Sequence, residues 1–144
     1  MRAPGRTRAA LERRLCAVVE RVTRRSLAQL LRDERRRGRV VRRVALVVGS
    51  VIDPARIGND HIRAHALEGR LFRTALERAA QAARLACSIH VERGLYAAAA
   101  ARLNRPAAQL KQRVADLGHP LPGPWRADEK TATLAAWMGL RRGD

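Results

Sequence analysis

A chain of 144 residues and 16.0 kDa has room for one modest core, and 47% hydrophobic residues set it apart from disordered compositions. Thirty Lys and Arg against 13 Asp and Glu leave a formal charge of +17 and a pI near 11.8, a balance that calls for a polyanionic partner. No apolar run approaches the ~18 residues of a membrane span, and 3% aromatic residues argue against a single-strand binding surface built on stacked bases.

The N-terminal MRAPGRTRAALERRL is basic and leads into charged sequence rather than an apolar core with a cleavage site, so no secretory signal is expected. Residues 7–37 read as helix, with Leu11, Leu15, Val18, Val19 and Val22 on one face. A break is expected at Thr23 to Ser26, where Ser26 and Gln29 resemble a capping box. The segment ends in RDERRRGRVVRR, which reads either as a phosphate-binding patch or as a solvated basic helix end. Residues 1–38 are expected to form a basic helical arm, with residues 39–144 as one α/β domain.

Val44 to Ile52 is an unbroken β-branched and small apolar run, as expected of a strand buried on both faces. Asp53-Pro54 stops it, and Gly58-Asn59-Asp60 supplies a turn and a helix cap. In the helix that follows, Leu67, Leu71, Phe72, Ala75, Leu76, Ala79 and Ala83 make one stripe, with Arg63, Arg70, Arg73, Glu77, Gln81 and Arg84 opposite. His61, His65 and Glu68, at i, i+4 and i+7, project from one face; they suit either a metal or acid–base cluster, or a histidine pair near an exposed helix start. In CSIHVE, alternation sends Cys87, Ile89 and Val91 to one side and Ser88, His90 and Glu92 to the other, so this strand is expected to be covered on one side only. The two strands joined by a helical crossover predict a parallel pair, with Asp53 and Glu92 at its carboxyl edge, where open α/β sheets place their sites.

After Glu92, LYAAAAARLNRPAAQLKQRVADLG reads as a helix, a short turn and a second helix, with Pro106 at a first helical position and Gly118 just past an end. HPLPGPW is a proline-rich loop. ADEKTATLAAWMGL is a last helix, with Asp128 and Glu129 suited to its dipole and Leu134, Trp137 and Met138 expected to pack on the sheet. The expected fold is therefore α/β: a small strand–helix–strand core with an N-terminal helical arm and C-terminal helices.

Residues 95–118 resemble the helix-turn-helix of small bacterial DNA-binding proteins, in which Ala99, Leu103, Leu110 and Val114 would be the packing positions. That resemblance makes 106–117 the recognition helix and turns Arg105, Gln109, Gln112 and Arg113 towards DNA, residue types suited to phosphates and purine edges. Two packed helices without DNA fit the same residues. Over most of 44–140, strand, long helix, strand ending in glutamate and acid-capped helix resemble the RNase H-like fold of Holliday-junction resolvases. In that family carboxylates hold two magnesium ions, and the matching positions here are Asp53, Glu92 and Asp128. The chain departs from that family in having a short loop where the family has a hairpin of further strands.

There is no GK[ST] phosphate loop, no CxxC pair and no nucleophile elbow, and Cys16 and Cys87 form no disulfide or zinc pattern. Three classes remain: a non-catalytic protein that binds DNA or RNA through arginine–phosphate contacts, a magnesium-dependent nuclease, and a basic structural or partner-binding protein. The first needs no cofactor. A cytoplasmic location, no membrane partner and an open possibility of a homodimer complete the expectation.

Overall fold

The computed structural model describes residues 4–140. Among them are five helices, α1 (Pro4–Arg36), α2 (Asp60–Ala82), α3 (Leu95–Leu103), α4 (Ala107–Leu117) and α5 (Ala127–Leu140). Two strands, β1 (Arg43–Val48) and β2 (Ala86–Val91), pair in a two-stranded parallel sheet. The expected α/β class holds, with the crossover helix α2 between the strands. The chain forms two compact units, one of Met1–Arg42 with Ile52–Ala86 and one of Arg43–Val51 with Cys87–Asp144. The arm read over 1–38 lies in the first unit, and 39–144 is shared between the two.

In the first unit, α1 packs along α2. The helix α1 runs unbroken through Thr23–Ser26. The expected capping box does not form, because Gln29 donates from Nε2 to Asp33 Oδ1 one turn later, at 2.8 Å, instead of reaching back to Ser26. Extending an existing helix adds one hydrogen bond per residue fixed, whereas a new start repeats the cost of nucleation. The helix stops at Gly38, whose φ of +75° suits glycine. There Arg39 N–H reaches Glu34 O at 2.9 Å and Gly38 N–H reaches Arg35 O at 3.0 Å, which satisfies two end carbonyls.

The face that α1 buries is not the predicted one. Leu11, Leu15, Val18 and Val22 are exposed, whereas Cys16, Val19, Thr23, Leu27 and Leu31 are half-buried. α2 keeps part of its expected stripe: Ala75 and Ala79 are buried as predicted and Leu71 is half-buried, but Ala80 is buried as well while Leu67, Phe72, Leu76 and Ala83 are exposed. Alanines let two helix backbones approach closely, so the contact follows the small residues rather than the bulkiest stripe. Asn59 caps α2 by accepting from Ile62 N–H at 3.0 Å.

In the second unit, Leu95, Ala99, Leu103, Leu110, Val114, Leu134 and Met138 form the core, with Val47, Tyr96, Trp125 and Trp137 packed around it. Leu95, Leu110, Leu134 and Val114 are fully buried, each contributing about 1.5–3 kcal/mol. α5 lies on β1 as expected and opens with Glu129 Oε2 accepting from Arg126 N–H at 2.8 Å. β1 is shorter and less covered than its apolar run predicts. It ends at Val48, its residues are at most half-buried, and Val51 and Ile52 beyond it are exposed. With one neighbouring strand rather than a wide sheet, nothing requires a longer strand sealed on both faces.

Candidate nucleic-acid interface

The α3–α4 pair is built from the buried line Leu95, Ala99, Leu103, Leu110 and Val114. Asn104, at φ +51°, ends α3 with its N–H on Ala100 O. Pro106 stands one residue before α4 as its cap, rather than at the first helical position, and Gly118 lies just past the other end. The four packing positions of the helix-turn-helix pattern are therefore buried, and Arg105, Gln109, Gln112 and Arg113 are all exposed. Three of these four make local hydrogen bonds: Arg105 Nη1 donates to Gln109 Oε1 at 3.3 Å, and Gln112 Nε2 donates to Asp116 Oδ1 at 2.8 Å. Lys111 covers the Tyr96 ring with its ammonium 5.5 Å from the ring centre, which leaves Arg105 and Arg113 as the cations of this face.

In the first unit, the arginine run before β1 is partly neutralised. Arg36 Nη2 meets Asp33 at 2.6 Å, Arg37 Nη1 meets Glu34 at 3.2 Å, and Arg39 also binds Glu34. The hydrogen bond from Arg39 holds the Glu34 carboxyl below its ordinary value, against partial loss of its hydration, and Glu34 in turn raises Arg39. The expected phosphate patch at 32–43 thus spends several of its charges internally.

The better-presented cations lie earlier in α1. Arg14, Arg21, Arg25 and Arg32 are exposed and fall at intervals of seven, four and seven residues. At 100° per residue they lie within an arc of about 40°, and at 1.5 Å per residue the line is about 27 Å long. None of the four has an ion pair among the described residues, although Arg32 donates to the neutral Gln29 at 2.7 Å. Arg21 and Arg25 line a shallow depression with Ala17, Glu20, Arg24 and Ala28, and Glu20 there is engaged by Arg78. This line contains no run of adjacent arginines, the pattern that marks a basic patch in a sequence; its signal there is the 7-4-7 spacing on one helix face.

The three carboxylates matched to a two-metal centre each have a local explanation. Asp53 accepts from Ala55 N–H at 3.1 Å to start the 3-10 turn Pro54–Arg56, and Arg70 lies 3.9 Å from it. The backbone of Glu92 extends the strand pairing, its N–H reaching Val48 O at 2.9 Å, while its side chain is exposed. Asp128 is exposed in the first turn of α5, and its carbonyl accepts from Thr131 Oγ1 at 3.1 Å. Among the described residues no three His, Cys, Asp or Glu side chains form a group able to hold a metal ion. His61 and His65 do meet on the exposed start of α2, with Glu68 beside His65.

No helix among the described residues is long and apolar enough to cross a membrane. Comparison with protein-family models, with curated proteins and with solved structures finds no match.

Proposed function

We propose that the protein binds duplex nucleic acid without turnover, gripping phosphates through arginines. The observation that carries this reading is the line Arg14, Arg21, Arg25 and Arg32, with no carboxylate paired to it, on a chain of net charge +17. Guanidinium forks match phosphate geometry. The line's length of about 27 Å is most of one duplex turn of ~34 Å, and a straight helix can follow a groove wall over such a span. Arg105 in the turn before α4 and Arg113 on α4 are a second set, available for phosphates or guanine edges; Gln109 and Gln112 stand beside them and would act once released from their local hydrogen bonds.

The test is binding to a mixed-sequence DNA duplex and to an RNA duplex across a salt series. The parent is expected to bind with a steep log–log salt slope, since each phosphate neutralised contributes about 0.9. Replacing Arg14, Arg21, Arg25 and Arg32 by alanine should flatten the slope by up to ~3.6 while leaving the thermal midpoint nearly unchanged, because exposed arginines contribute little to folding. Arg105→Ala with Arg113→Ala asks the same of α4. A flat salt dependence in the parent retires the nucleic-acid reading. A steep slope unaffected by the fourfold variant retires the α1 assignment alone.

A further inference from the structure

The start of α2 carries a feature that phosphate binding does not use. His61 and His65 sit one turn apart, both exposed, with their Nε2 atoms 3.2 Å from each other and their ring centres 4.6 Å apart. On the other side of the His65 ring, Nδ1 faces Glu68 Oε2 at 3.7 Å. A carboxylate on Nδ1 favours the tautomer that keeps its proton there and leaves the Nε2 lone pair free. Two Nε2 atoms that face each other need something between them: either a proton donated by one ring or a shared cation.

The spacing suits a cation. Two nitrogens 3.2 Å apart, each ~2.0–2.1 Å from one ion, subtend about 100° at it, between the octahedral and tetrahedral angles. The rings stand at 90° to each other, which rotation about each metal–nitrogen axis allows. We propose that His61 and His65 form a two-histidine chelate for a late first-row divalent cation, with Glu68 orienting His65 from behind and water completing the shell. Imidazole nitrogen selects nickel, copper or zinc over magnesium or calcium, which prefer oxygen. Nearby charge does not forbid it: Asp60 pairs with Arg63 at 3.1 Å, Arg63 also donates to Ile57 O at 2.8 Å, and Arg70 lies towards Asp53. The site requires no third protein ligand, in keeping with the absence of any three-residue group among the described residues. It also stands apart from the phosphate-binding reading, because none of its residues belongs to the arginine line.

The experiment is calorimetric titration of the full, metal-free chain with nickel chloride near neutral pH, with magnesium chloride as the comparison ion. One nickel per chain is expected, accompanied by a rise in thermal midpoint, because an ion bridging positions one turn apart binds only the folded helix. His61→Ala and His65→Ala should each weaken binding at least tenfold and abolish the midpoint shift, while His90→Ala and His119→Ala leave both unchanged. Glu68→Gln should weaken binding by up to ~10-fold without removing the site, as expected of a positioning carboxylate. Parent-like nickel binding by either single-histidine variant, or no uptake by the parent at about millimolar nickel, overturns the proposal.

Discussion

Replacing Gly118 by alanine should destabilise the second unit even though the backbone there is ordinary. Gly118 closes α4 at φ −80° and ψ −21°, a conformation open to any residue, so no dihedral strain opposes the change. The obstacle is Trp125. A Cβ on Gly118 would overlap Cγ, Cδ1 and Nε1 of the indole, whose Nε1–H donates to Val114 O at 2.9 Å while the ring packs on the core. Making room means swinging the indole outwards. That loses a hydrogen bond contributing about 0.5–1.5 kcal/mol and part of the ring's packing, within the ~1–3 kcal/mol typical of overpacked sites. The opposing gain, from a less flexible unfolded chain, is about 0.4–1 kcal/mol. The net expectation is a loss of roughly 1–2 kcal/mol, read as a lower urea midpoint with unchanged slope in tryptophan fluorescence. In a Trp125→Ala background the same substitution should cost nothing or stabilise slightly. Equal or greater stability of the single variant, or an equal loss with Trp125 removed, would refute the steric account.

Two further outcomes can be checked directly. The Glu129 carboxyl is held below its ordinary value by hydrogen bonds from its own N–H and from Arg126 N–H, and that of Glu34 by Arg39. Both groups have depressed folded-state values, so their contribution to stability is present at neutral pH and disappears as pH falls through those values. Carboxyl-carbon NMR titration should find both midpoints below that of an unfolded-chain glutamate, and an ordinary or raised midpoint for Glu129 would remove its capping role. Incubated with magnesium or manganese, the parent should leave branched, nicked and single-stranded DNA and RNA intact. Cleavage that vanishes in an Asp53→Asn, Glu92→Gln double variant would instead establish a nuclease.

Much of the element order was legible because it rests on local chemistry. The turn at Asp53-Pro54, the Asn59 cap, the Asn104–Pro106 turn and the acid-capped start of α5 all appear where turn and cap residues place them. Which face each long helix buries was only partly legible. Periodicity placed Ala75 and Ala79 on the packing stripe of α2, where they are buried, but gave the same standing to Leu67, Phe72 and Leu76, which are exposed, and left out the buried Ala80. The continuity of α1 also escaped, since Ser26 and Gln29 satisfy a capping pattern that has no use once a helix already runs through it. As for the candidate site, the basic excess was plain from composition, but which arginines stay unpaired was not. That depends on where Asp33, Glu34 and Glu20 find partners, and the Glu20–Arg78 pair joins residues 58 positions apart.

A sheet of two strands consists entirely of edges. Among the described residues, β1 and β2 each pair with one neighbouring strand, so each has an outer edge without a partner strand. Such edges template intermolecular pairing unless something keeps copies apart. The +17 charge opposes such pairing, with Arg43 at the start of β1 and Arg42 just before it. Electrostatic repulsion of this kind fades once salt shortens its range to ~10 Å or less, and a bound polyanion cancels it outright. The same positive charge that would draw in nucleic acid therefore also opposes self-association. Neutralising it, by ligand or by charge-removing substitutions, should be paid for in colloidal stability.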